Sequence, residues 1–238
     1  MSESPRGEEP RQDLPERLRC LGTAALGVLV IGALTRYNMS GTSVWSSTAS
    51  PAYRSWDEYL LVNITGIFFL PCLLVLGLYR QPLSSYGVAA PAPGAARIAW
   101  VFYAAMAPVL VLISRQPVFY HQYPMLAAAG YAWPTLAAFE LTYGFYFFCW
   151  EFFYRGFLTF GLGRALGYPA AIAIQSVGFG IMHYGKPVPE FYSSFAGGAI
   201  LGWLAVRGGS FLPCFALHWA ISATLDLLAI HARHTGLL

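Results

Sequence analysis

Apolar residues in this chain come in long runs rather than in alternation, and the polar positions collect between the runs. A helix that crosses a hydrocarbon layer needs about 20 mostly apolar residues. Seven runs approach that length: about 20–37, 58–79, 97–113, 134–162, 168–184, 190–206 and 211–231. The pattern predicts an all-α fold, a polytopic transmembrane helix bundle of about seven spans. The fourth run is long enough to tilt or protrude. The fifth and sixth are short, joined only by Gly185-Lys186-Pro187-Val188-Pro189. Proline there argues against helix, and non-helical backbone at depth is tolerated where it lines a wet cavity. Gly198 and Gly202 have the spacing of a close helix contact.

Composition supports the membrane class. The 238 residues are 57% hydrophobic and 11% charged, where a soluble domain carries about 25% charged residues. A net charge of +3 with dispersed basic residues gives no nucleic-acid partner; membrane lipids are the expected surroundings. Cys20, Cys72, Cys149 and Cys214 have no metal-ligand spacing and read as small buried hydrophobes. Nine of the 25 charged residues (14 Lys and Arg, 11 Asp and Glu) fall in positions 1–19, with three prolines. This stretch reads as a disordered tail. The run after it lacks a convincing signal-peptide cleavage site and reads as a retained helix. With seven spans, Arg6, Arg11, Arg17, Arg19, Arg80, Arg97, Arg155, Arg164 and Arg207 share one side, nine against five for Arg36, Arg54, Arg115, Lys186 and Arg233. That bias places the N-terminus in the cytoplasm.

The informative residues are charges in apolar company. Glu151 and Arg155 are the only charges between Leu141 and Leu162. A charge at the bilayer centre costs about 2.5–3.5 kcal/mol on insertion scales, so it faces the bundle interior and has a partner. At i, i+4 these two can pair with each other. His183 ends the fifth run, Glu190 follows the linker, and His218, Ser222 and Asp226 lie along the seventh. At 1.5 Å per residue, Glu151 lies roughly 18 Å in, His183 roughly 22 Å, His218 roughly 12 Å and Asp226 roughly 24 Å. All four fall in the middle half of a layer about 30 Å thick. Glu140 falls near the far interface. Each residue also has a structural reading: a helix clamp for Glu151 and Arg155, an interhelical hydrogen bond for each His, polar contacts for Asp226, loop charges for Lys186 and Glu190. Their matched depth favours one polar cavity.

Trp150-Glu151-x-x-x-Arg155, Phe179-x-x-x-His183 and His218-x-x-x-Ser222 resemble the motifs of the CAAX-protease and bacteriocin-processing family of intramembrane proteases (CPBP, Abi), in the same order. The likeness covers about 134–231. It divides the chain into a tail (1–19), N-terminal transmembrane helices (20–133), family-like helices (134–231) and a C-terminal tail (232–238). The family pattern is Glu-Glu-x-x-x-Arg, Phe-x-x-x-His and His-x-x-x-Asn. Trp150 replaces its first Glu, the residue the family picture makes the water-activating base, and Ser222 replaces its Asn. The resemblance implies a bacterial variant with a single Glu, in the inner membrane, acting on a peptide or protein substrate.

The expected chemistry is endopeptidase cleavage. Glu151, aided by His183, would activate water, Arg155 would pair with Glu151, and His218 with Ser222 or Asp226 would stabilise the oxyanion. Asp226 could instead fix the His218 tautomer, and Glu190 is a second candidate carboxylate. No cofactor is required. A divalent metal such as zinc on Glu151, His183 and His218 is an alternative, since two His and a carboxylate suffice for an open zinc site. Two rivals remain: a non-proteolytic immunity or scaffold protein binding peptide in the same cavity, and a proton-coupled transporter. Against the transporter stands the lack of an inverted repeat.

Overall fold

A computed structural model describes residues 14–39 and 55–235. Residues 1–13 and 236–238 of the two expected tails lie outside the described residues, as do Arg6, Arg11 and Arg54 of the charge count. The chain forms helices α1 (Glu16–Met39), α2 (Trp56–Leu78), α3 (Ala95–Ile113), α4 (Pro117–Gln122), α5 (133–166), α6 (Tyr168–Ile181), α7 (Val188–Gly208) and α8 (Leu212–Thr235). No strand occurs among the described residues, so the protein is all-α.

Of the seven expected spans, α1, α2, α3 and α8 are long and apolar enough to cross a membrane unaided. Helix α6 is apolar but has only 14 residues. Helix α5 carries Glu140, Glu151, Arg155 and Arg164, and α7 opens with serine and glycine among its apolar residues. A helix surrounded by protein can be less apolar than one bathed in lipid. Every residue from Cys149 to Gly163 of α5 is buried.

Local sequence explains how α5 is enclosed. On α1, Cys20, Thr23, Gly27, Val30 and Leu34 recur every three or four residues and form its buried stripe. Gly27 meets Leu158 of α5, where an added Cβ would lie 2.7 Å from a leucine methyl. Helix α2 starts at Ser55, whose hydroxyl accepts the Glu58 N–H at 3.1 Å, an N-cap that satisfies one free donor. Pro71 lacks an N–H, and α2 winds wide on both sides of it, over Thr65–Phe69 and Leu74–Leu78. Its Trp56 indole donates to Thr142 of α5 at 2.9 Å.

Helices α5 to α8 follow one another through short links and so run back and forth. Gly167, at φ 82°, takes the left-handed backbone that lets α6 start at once. Helices α6 and α7 pack face to face. A Cβ on Gly198 would lie 3.0 Å from the Ser176 Cα, and Gln175 Nε2 donates to the Gly198 carbonyl at 2.8 Å. Helix α6 ends at Ile181, so His183 sits in the following turn and not in the helix expected over 168–184. Gly185, at φ 92°, permits that turn. Val188 and Pro189 of the linker are already the first turn of α7, a position where the missing proline N–H costs nothing.

Candidate active site

The site starts from a change in winding. Regular helix in α5 ends at Glu151, and Phe152–Leu158 continues in wider π turns. Such turns are uncommon and cluster at functional sites. Glu151 and Arg155 are both sealed from solvent. Arg155 Nε lies 3.2 Å from Glu151 Oε2, and Arg155 Nη1 donates to Oε1 at 3.3 Å. The first contact is an ion pair without hydrogen-bond alignment. The guanidinium carbon also lies 4.1 Å from the Phe179 ring centroid, so an aromatic face shares in stabilising the cation.

Helix α8 brings His218 to the same carboxylate. His218 Nδ1 lies 2.6 Å from Glu151 Oε1. A carboxylate only accepts, so this nitrogen carries the proton. His183 Nδ1 lies 2.8 Å from the Phe179 carbonyl, and the same reasoning makes it a donor. That leaves the Nε2 of each ring, and neither Nε2 has a protein hydrogen-bond partner among the described residues. The two rings are 6.5 Å apart between centroids and inclined by 21°. Phe179 lies between them, 4.4 Å from His183 and 5.6 Å from His218.

His183, His218 and Ser222 line one cavity of about 600 Å³. Its other walls come from α3, α7 and α8, with apolar side chains such as Met106, Val109, Leu201 and Ile221. Ser222 lies one turn beyond His218 on this wall, its hydroxyl without a partner among the described residues. Trp150 lines the cavity too, its ring 5.9 Å from that of His183, and its indole N–H is buried without a partner among the described residues. Glu151 stands behind His218 rather than on the cavity wall.

The remaining candidates fall elsewhere. Asp226 is sealed beside Glu140, away from the cavity lining. Glu140 in turn accepts from the Trp219 indole at 3.2 Å. The carboxylate that holds the His218 Nδ1 proton is therefore Glu151 and not Asp226. Glu190 begins α7 and also lines the cavity, but its carboxylate is engaged by Tyr123 and not by His183. Among the described residues no group of three or more His, Cys, Asp or Glu side chains is placed to hold a metal ion. Glu151 turns its oxygens to Arg155 and His218 Nδ1, so Glu151, His183 and His218 do not fit as a ligand set. Sequence reasoning missed Tyr123, which reaches the cavity from the loop after α4; only the folded path of the chain puts it there.

Fold and site define a helical membrane protein with a buried Glu–Arg–His centre opening on one cavity. Residues 131–224 match the model of the Rce1-like family, described as type II CAAX prenyl endopeptidase Rce1-like. That stretch, from the loop before α5 to the middle of α8, holds Glu151, Arg155, His183, His218 and Ser222, and over it the chain is similar to the CAAX-protease (CPBP) family. No curated protein and no solved structure matches the chain.

Proposed function

We infer that this chain is an intramembrane endopeptidase in which a Glu–His pair activates water. The observation that carries the reading is the 2.6 Å contact of His218 Nδ1 with Glu151 Oε1. It holds His218 in the tautomer that presents a basic Nε2 to the cavity. A water donating to the Nε2 lone pairs of both His183 and His218 is held between the rings. His218 Nε2 takes a proton as the water oxygen bonds to the scissile carbonyl carbon. Glu151 stabilises the imidazolium so formed. The carbonyl oxygen, now negative, accepts from the Ser222 hydroxyl; such donors are worth roughly 10²–10³ in rate. His218 then returns the proton to the amide nitrogen as the carbon–nitrogen bond breaks. We read the membrane as a bacterial inner membrane, as the family resemblance implies, and the N-terminus as cytoplasmic, which the excess of basic residues on that side supports.

A second reading has its own support. Trp150 occupies the place of the first Glu in the family pattern, and Glu151 is turned to Arg155 and His218 rather than to the cavity. A protein so built could bind a peptide in the cavity without cutting it. Mapping of new peptide termini in membranes carrying the wild type or Glu151→Gln separates the two. Termini that depend on Glu151 support the endopeptidase, and identical termini in both support the binding protein.

A further inference from the structure

The cavity has a second polar end that the proton transfer does not use. Tyr123, Met125, Lys186 and Glu190 line it together with His183 and His218. The Tyr123 hydroxyl donates to Glu190, 2.6 Å from each carboxylate oxygen. The Lys186 ammonium donates to the Tyr123 hydroxyl at 3.1 Å and to the Met125 sulfur at 3.3 Å. It also lies 4.8 Å from the Tyr123 ring centroid. Burial, and then the Glu190 charge, holds the Tyr123 phenol well above its usual pKa, so it stays a donor to Glu190. Lys186 shares a turn with His183, its N–H bonded to the His183 carbonyl at 3.0 Å.

An ammonium has three N–H donors. Here two of them meet neutral acceptors, one a weakly accepting sulfur. No carboxylate forms an ion pair with Lys186 among the described residues. The facing wall from α3 is apolar, and the Glu190 carboxylate reaches the ammonium only through the Tyr123 hydroxyl, so the third donor is left without a charged acceptor. The site therefore suits an anionic group. A single ammonium with Glu190 close by fits a monoanion better than a phosphate dianion, which is usually met by several donors or by the arginine fork. A peptide lying with its scissile carbonyl near His218 has two sources of such an anion, its C-terminal carboxylate and an acidic side chain.

We propose that Lys186 is a specificity-determining residue that binds a carboxylate of the peptide in this cavity, with Tyr123 and Glu190 holding the ammonium in place. The proposal rests on the cavity being the peptide site, and it does not require that the peptide be cut. Because Lys186 and His183 share one turn, the carboxylate and the reacting amide would sit at a fixed spacing.

The test uses the full chain in detergent micelles and an N-terminally labelled peptide of Leu, Phe and Ala. The peptide is made as the free acid, as the C-terminal amide, and as the amide carrying one Glu. Fluorescence anisotropy should show wild type binding one or both carboxylate forms about tenfold more tightly than the plain amide, as for a hydrogen bond to a charged group. Preference for the free acid alone identifies the C-terminus, and preference for the Glu-bearing amide identifies a side chain. Lys186→Gln should erase the preference and Lys186→Arg should keep much of it. Should Lys186→Gln elute as aggregate, Tyr123→Phe, which removes only the tethering hydroxyl, should weaken it. Equal binding of all three forms, no saturable binding of either carboxylate form, or a preference that survives Lys186→Gln overturns the proposal. Cleavage scored in parallel keeps the two readings apart. Preference without cleavage retains the role of Lys186 and removes the endopeptidase, and cleavage without preference does the reverse.

Discussion

His218 and Glu151 are 67 residues apart in sequence, and the fold sets the Nδ1 of one 2.6 Å from Oε1 of the other. A contact this short between an N–H and a carboxylate is of the charge-assisted kind, roughly twice as strong as a neutral hydrogen bond. It fixes both the ring orientation and the tautomer of His218. Glu151→Gln keeps an oxygen that can accept the Nδ1 proton but removes the charge that stabilises imidazolium. Cleavage should fall by about 10²–10⁴, the range for general acid–base assistance, while insertion into the membrane persists. Unchanged cleavage of a peptide by the purified variant would move the base away from this pair.

Arg155 is tied to the same carboxylate but serves stability first. Arg155→Met leaves Glu151 charged and half-satisfied in the most buried part of the bundle. Breaking a buried pair from one side costs about 3–5 kcal/mol. Thermal unfolding in micelles should show a large drop in Tm for Arg155→Met and a smaller drop for Arg155→Met combined with Glu151→Gln. The coupling between the two substitutions is the quantity to read; additive drops would show that the pair does not act as a unit.

His183 lines the cavity while its Nδ1 is held by a backbone carbonyl. His183→Ala removes one of the two acceptors for the water and leaves the Glu151–His218 contact in place. The expected result is loss of cleavage with nearly normal peptide binding, a fall in kcat rather than a rise in KM. A KM effect alone would make His183 a binding residue.

Much of this centre was legible because the membrane makes polar residues conspicuous. Glu151, Arg155, His183 and His218 stand out in apolar runs, and counting residues along helices put them at one depth. The structure brings Glu151, Arg155 and His218 into contact and sets the His183 ring 6.5 Å from that of His218. Depth alone did not give azimuth. Asp226 lies at a suitable level, yet it is directed to Glu140 and away from the cavity. Nor did it give the helix end before His183, which depends on the turn at Gly185. Apolar length separated α1, α2, α3 and α8 cleanly as candidate spans. It was less informative for α5 and α7, because protein contact relieves a helix of the need to be uniformly apolar. Tyr123 carried no signal, since its place on the cavity wall comes from the path of the loop between α4 and α5.

Trp150 tests whether the departure from the family pattern matters to the chemistry. Its indole N–H has no partner among the described residues, so Trp150→Phe removes no hydrogen bond seen there and keeps the aromatic contact with His183. Cleavage by this variant should stay within about tenfold of wild type, well short of the loss for a general acid–base group. A collapse of activity in a variant that still elutes as a folded species would show that the indole N–H takes part in the reaction.

Two neighbouring glycines on α7 should respond to alanine in opposite directions. At Gly198 an added Cβ would lie 3.0 Å from the Ser176 Cα, and backbone cannot swing aside as a flexible side chain can. The contact also carries the bond from Gln175 Nε2 to the Gly198 carbonyl, so pushing α6 and α7 apart strains both packing and polar satisfaction. Gly198→Ala should destabilise by about 1–3 kcal/mol, the usual cost of overpacking. At Gly197 an added Cβ meets nothing within 4 Å. There alanine removes the backbone-entropy penalty of a helical glycine, a gain of up to about 1 kcal/mol. The contrast reaches the site, because α6 leads directly into the turn that holds His183. Gly198→Ala should lower both Tm and cleavage, and Gly197→Ala should leave Tm unchanged or higher. Equal Tm values for the two variants would mean that α6 and α7 are not packed as closely as the Gly198 contact requires.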